Sequence, residues 1–192
     1  NMKGLIGVYG AGQMGTGISH VCALSGFSVK LYDIVPEQIE KSIKTTRDNL
    51  ERQVKKGIII AGEVDVILSR IKCVKNESEL NDVDIVIEAA TENEEIKTSL
   101  FKKLDRIINR QAILASNTSS ISITKIASAT CRPNKVIGMH FMNPVPVMKL
   151  VEVIRGLATD EDTFKFVVTL IEKLGKESAV SKDYAGFIVN RI

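Results

Sequence analysis

Short apolar runs alternate with longer amphipathic stretches along this chain. The runs Leu5–Tyr9, Ser28–Tyr32, Ile71–Val74, Val83–Glu88, Ala112–Ala115, Lys135–His140, Leu150–Val153 and Glu177–Val180 are short and mostly rich in β-branched residues, and they predict strands. Several are apolar throughout, as strands covered on both faces are. Between them, Gln13–Ser25, Pro36–Lys56, Glu94–Asn109 and Glu161–Leu174 carry the helical period. Pro36 suits a first helical turn, and Gly26 and Gly175 suit helix ends. The alternation predicts an α/β fold around a mostly parallel sheet. The stretch from Pro36 to Arg70 is longer than one crossover helix requires. Gly57 and Gly62 break it, so a protruding helix–turn–helix excursion is expected there.

Composition narrows the class. With 44% hydrophobic and 26% charged residues, the 192-residue chain can fill a core, which argues against disorder. A net charge of +3, with Lys and Arg scattered among Asp and Glu, leaves no nucleic-acid footprint. No window approaches the ~20 apolar residues of a membrane span, and the start does not read as a signal peptide. Asn1 before Met2 resembles the remnant of a cleaved tag. Cys22, Cys73 and Cys131 are odd in number and widely spaced, and only two histidines accompany them. Neither a zinc site nor a disulfide framework is expected, and a cytoplasmic setting is. Gly186–Ile192 begins an apolar helix-like pattern and stops, which suggests truncation. The expected organisation is a nucleotide-binding domain over residues 1–185, then the start of a second domain at 186–192.

The first turn carries recognisable chemistry. Gly10-Ala11-Gly12-Gln13-Met14-Gly15 follows a predicted strand and opens a predicted helix. The first glycine permits a tight turn, the second lets backbone approach a pyrophosphate, and the third lets helix and strand pack closely. Asp33 ends the second strand about 20 residues on, where a carboxylate accepts hydrogen bonds from adenosine ribose hydroxyls and repels a 2′-phosphate. A doubly wound Rossmann-type fold binding NAD rather than NADP is the expectation. Glu88–Glu92 and Ser116–Ser120 close two further strands, where they either line the nicotinamide side or simply cap helices.

His140 and Asn143 close an apolar strand, and Glu152 lies inside another. An unpaired buried carboxylate is costly, so Glu152 needs a partner. His140 with Glu152 has the parts of a general base and an orienting carboxylate. From spacing alone, a surface glutamate on an edge strand and a histidine satisfied by backbone remain the alternative.

Taken together, the glycine loop, Glu88–Glu92, Ser116–Ser120, His140-Phe141-Met142-Asn143-Pro144, Leu150–Val153 and Gly186-Phe187-Ile188-Val189-Asn190-Arg191 resemble the 3-hydroxyacyl-CoA dehydrogenase family, its bacterial 3-hydroxybutyryl-CoA members above all. The resemblance implies an NAD-dependent oxidation at C3 of an acyl-CoA thioester. It makes His140 the catalytic base and Glu152 its orienting partner. Ser119 and Asn190 would meet the reacting oxygen, with Asn143 nearby. Asp33 would hold the ribose, and Glu92, Lys97 and Asn117 would lie near the ribose, nicotinamide and substrate. Lys56 would meet the CoA portion, although the neighbouring family serine is Asn49 here. The resemblance further implies a C-terminal helical domain that supplies dimer contacts and one wall of the cleft, so the present chain should bind NAD but turn over poorly. Two other readings stay in play: a different β-hydroxyacid dehydrogenase, which would use a lysine, and a non-catalytic NAD-binding relative.

Overall fold

The computed structural model describes residues 4–183. Eight strands form one sheet in the order β3-β2-β1-β4-β5-β6-β7-β8. They are β1 (Leu5–Tyr9), β2 (Ser28–Tyr32), β3 (Ile71–Cys73), β4 (Ile85–Glu88), β5 (Ile113–Ser116), β6 (Val136–Phe141), β7 (Leu150–Arg155) and β8 (Glu177–Lys182). All neighbours pair in parallel except β6 and β7. The chain winds outward from β1 to β3, then crosses back to β4 on the other side of β1. That reversal opens the crevice in which doubly wound sheets bind ligands.

Among the described residues six α-helices cover the sheet: α1 (Gln13–Leu24), α2 (Pro36–Lys55), α3 (Glu63–Ser69), α4 (Glu94–Ile107), α5 (Ile123–Ser128) and α6 (Glu161–Lys173). Strand alternation divides the core in two. Val8, Leu31, Ile87, Met139 and Val153 pack with Ile18 of α1, Leu170 of α6 and Ile67 of α3. Val86, Leu114, Val136 and Ile154 pack on the opposite face with Phe101 and Leu104 of α4 and Ile126 of α5. The central strands β4, β5 and β6 are buried on both faces, which explains their nearly continuous apolar sequence, whereas the edge strands β3 and β8 are largely exposed.

The expected elements are present, with shifted ends. Strands β6 and β7 run one and two residues beyond the expected ends, to Phe141 and Arg155. The α2–α3 excursion is two helices, as the glycine breaks suggest. It does not simply protrude: Ser42, Thr46 and Leu50 of α2 and Val64, Ile67 and Leu68 of α3 are buried. Helix α5 was not expected. Its six residues are too few to display a period, and Ser122 caps it by accepting from the Lys125 amide. Among the described residues no helix is long and apolar enough to cross a membrane.

Candidate active site

The turn from β1 into α1 is shaped by its glycines. Gly10 has φ +114°, and a Cβ there would lie 2.8 Å from the Ala89 carbonyl oxygen. A Cβ on Gly15 would occupy the place of the Gly10 carbonyl oxygen, so only glycine lets helix and loop meet. Above Gly12 nothing lies within 4 Å, which leaves room over the start of the helix. Helix α1 has no side-chain cap and no acidic residue in its first turn. Its leading amides are therefore open to an anion, and the helix dipole favours one. The Asp33 carboxylate is fixed beside this loop, accepting from the Ala11 and Val35 amides at 2.8 Å each. Each oxygen retains capacity for a hydroxyl donor. An open helix start, a backbone cradle and a positioned carboxylate fit a dinucleotide.

Three clefts surround the loop. One of about 700 Å³ is walled by Tyr9, Ile34, Ile96 and Leu100. Ile34 and Ile96 are 75% and 58% exposed, large apolar side chains facing water at the mouth of the crevice. Neither stands out in the sequence, although an isoleucine directly after Asp33 in a loop was the available signal. A second cleft, about 260 Å³, brings Met14, Glu92, Lys97 and Asn117 together. The third, about 320 Å³, joins Gly12 and Gln13 to Asn49 of α2 and Asn143 and Pro144 beyond β6.

Lys97 is almost wholly buried and ion-pairs with Glu88, its Nζ 2.6 Å from Oε1. Ser116 Oγ accepts from Lys97 at 3.1 Å and donates to the same Glu88 oxygen at 2.8 Å. The other Glu88 oxygen accepts from the Ala90 and Thr91 amides at 2.8 and 3.4 Å. Glu92 gathers the loop after β5: its Oε2 accepts from the hydroxyls of Thr118, Ser119 and Ser120 at 3.1–3.4 Å. Asn117 Oδ1 accepts from the Phe141 amide at 2.8 Å, tying that loop to the end of β6.

His140 and Glu152 are directly opposed across the antiparallel β6–β7 pair. Cross-strand neighbours point to the same face, and here it is the α5 face shared by Val136 and Ile154. Nδ1 of His140 lies 3.1 Å from Glu152 Oε1, with residue exposures of 9% and 0%. With the carboxylate as acceptor, Nδ1–H donates and Nε2 carries the free lone pair. Glu152 Oε2 is buried and has no hydrogen-bond partner among the described residues. The carboxylate thus holds the imidazole in one tautomer at the rim of the sheet.

Not every expected residue joins this group. Lys56 is exposed just past the end of α2 and does not line the cleft of Asn49 and Asn143. Asn190 and the 186–192 segment lie outside the described residues.

Fold and loop together define a Rossmann-type dinucleotide-binding domain. The family model described as "3-hydroxyacyl-CoA dehydrogenase, NAD binding domain" matches residues 5–184, and the chain belongs to that family. It is 50% identical over 187 residues to a 3-hydroxybutyryl-CoA dehydrogenase of Bradyrhizobium diazoefficiens, covering 97% of this chain and 64% of that protein. It is 52% identical over 185 residues to a probable 3-hydroxybutyryl-CoA dehydrogenase of Bacillus subtilis, covering 96% and 64%. The crystal structure of (S)-3-hydroxybutyryl-CoA dehydrogenase from Ralstonia eutropha superposes with a TM-score of 0.95 at 46% identity, covering 98% and 66%. The chain thus spans somewhat under two thirds of the length of the curated relatives it matches first.

Proposed function

We propose that the whole protein transfers a hydride between C3 of a short 3-hydroxyacyl-CoA, 3-hydroxybutyryl-CoA in the first instance, and NAD, with His140 as general base. The His140–Glu152 pair carries this reading, at a strand end that Asn117 ties to the cleft of Met14, Glu92 and Lys97. When bound, NAD supplies the acceptor for the hydride that leaves C3. His140 Nε2 takes the hydroxyl proton as the C3 carbonyl forms, and Glu152 keeps Nδ1 protonated and stabilises the imidazolium. Ser119 and Asn190 hold the reacting oxygen, Asn143 lines the acyl side, and Lys56 meets the CoA portion from the excursion. Gly10, Gly12, Gln13, Met14 and Gly15 receive the pyrophosphate, and Asp33 accepts from the ribose hydroxyls. Ile34 and Ile96 clasp the adenine, while Glu92, Lys97 and Asn117 line the nicotinamide side. The whole protein acts as a cytoplasmic homodimer whose contacts come from beyond residue 185.

The test is His140→Gln in the whole protein. Proton transfer by a positioned base contributes roughly 10²–10⁴-fold, so kcat for acetoacetyl-CoA reduction falls by at least the lower figure. NADH affinity stays within about twofold, because no His140 contact reaches the glycine loop. Near-normal turnover by this variant overturns the assignment. Oxidation of NADH by free acetoacetate in preference to its CoA thioester overturns the substrate class.

A further inference from the structure

Behind the cleft shared by Gly12, Asn49 and Asn143 lies a buried cation without a counter-ion. Lys176, between α6 and β8, is 9% exposed. Among the described residues it pairs with no carboxylate. Its Nζ donates instead to two backbone carbonyls, Val145 O at 2.7 Å and Met148 O at 2.6 Å. The adjoining Glu177 amide adds a third tie, to Lys149 O at 2.8 Å. The same turn is closed from within, where the Val147 and Met148 amides both donate to Pro144 O at 3.0 Å. Its front is seated on α1 so closely that a Cβ on Gly17 would come within 2.7 Å of the Val145 Cβ.

Burying an ammonium costs free energy, and two carbonyl dipoles repay it less completely than a carboxylate would. Burial accordingly pulls the Lys176 ammonium below the usual lysine range. Its other neighbours, His20 and Cys22 on α1, offer no negative charge to offset this: burial lowers the His20 pKa and raises that of the Cys22 thiol to about 12. An apolar side chain of similar length would fill this space more cheaply. What it could not do is hold two carbonyls of one turn. That turn presents Asn143, Pro144, Val145 and Pro146 to the cleft.

We propose that Lys176 is a positioning residue: by holding the Val145 and Met148 carbonyls, it fixes the 143–148 turn as the wall of the cleft that receives the acyl-CoA. The inference rests on the function proposed above for its link to substrate, and on geometry alone for its hold on the turn. The Lys176 side chain bonds the far wall of that cleft, not Gly12 or Gln13 on its near wall and not His140, so its effect falls on substrate affinity ahead of nucleotide binding or the chemical step.

Lys176→Met and Lys176→Arg in the whole protein test this. The methionine variant raises the KM for acetoacetyl-CoA about tenfold, the effect of losing roughly 1.4 kcal/mol of uniform binding. Its kcat and NADH dissociation constant stay within about twofold, and amide exchange at Val147 and Met148 quickens at least about tenfold. In Lys176→Arg the guanidinium still donates to both carbonyls, and this variant recovers most of the KM and of the protection. A purely structural lysine gives another pattern: a smaller folded fraction lowers apparent kcat at constant KM, and exchange rises throughout the domain. That pattern, or unchanged exchange at Val147 and Met148, overturns the proposal. If the methionine variant does not fold, Lys176→Gln is read by the same two measurements, since the shorter side chain leaves its donors short of the two carbonyls. If the wild-type protein turns over no 3-hydroxyacyl-CoA, the proposed function fails, while the exchange data still decide whether Lys176 holds the turn.

Discussion

Two carboxylates lie fully buried at the same rim of the sheet, and they are treated in opposite ways. Glu88, at the end of β4, has both oxygens engaged: Lys97 and Ser116 donate to one, and the Ala90 and Thr91 amides to the other. Glu152, in β7, has one oxygen on His140 and the other with no partner among the described residues. A saturated ionic network at low dielectric holds one arrangement, because every alternative leaves a charge bare. A half-used carboxylate next to an imidazole with a free nitrogen can follow a change of charge on the ring. The first arrangement suits a strut and the second suits proton transfer.

Removing the partner of the saturated carboxylate is the hardest blow to this comparison. Lys97→Met leaves Glu88 ionised in the core, and breaking a buried pair in this way costs about 3–5 kcal/mol. Urea unfolding of the domain checks it; a loss below about 1 kcal/mol would show that Glu88 does not depend on its lysine. The matching change at the other carboxylate, Glu152→Gln, keeps the shape and one acceptor for Nδ1–H. Here stability moves by about 1 kcal/mol or less, while kcat in the whole protein falls by roughly 10²-fold or more. If the two variants were destabilised alike and Glu152→Gln kept its turnover, the distinction between strut and proton-transfer pair would disappear.

His20 sharpens the comparison from outside the clefts. Its Nε2 lies 3.2 Å from Gln53 Oε1, and Nδ1 is buried with no partner among the described residues, so an orphaned polar atom alone does not mark catalysis. Burial is the main cause that lowers its pKa; the Lys176 charge adds to this and the Gln53 hydrogen bond opposes it. A folded pKa below the unfolded value means that the folded state binds fewer protons. Stability is therefore fully present above pH ~6.5 and declines as pH falls through the lowered folded value. Urea midpoints at pH 7.5 and pH 5 should separate more for the wild type than for His20→Leu, and equal separations would remove His20 as the cause. This is the smallest of the expected effects.

Legibility in the sequence followed the range of the interactions. The glycine loop, Asp33, the helix punctuation at Pro36, Gly26 and Gly175, and the eight apolar runs are local patterns, set by sterics within a turn or by a period of two or 3.6 residues. Ile34 and Ile96 were present as residues but carried no pattern, since a single apolar side chain in a loop is common. Helix α5 was too short to show a period. The pairing of Lys97 with Glu88 joins a helix to a strand end nine residues away, a spacing that no regular element repeats.

By itself, then, the chain determined its alternating architecture and its dinucleotide turn, because these depend on neighbours within about 20 residues. The three-dimensional structure decided which charges meet. His140 faces Glu152 only because β7 runs antiparallel to β6, and a register shifted by one residue would send the two side chains to opposite faces. Lys176 grips carbonyls 28 and 31 residues earlier because α6 returns the chain beside the turn after β6. Contacts of that kind are chosen by the packing of whole elements, and no short stretch of sequence carries that information.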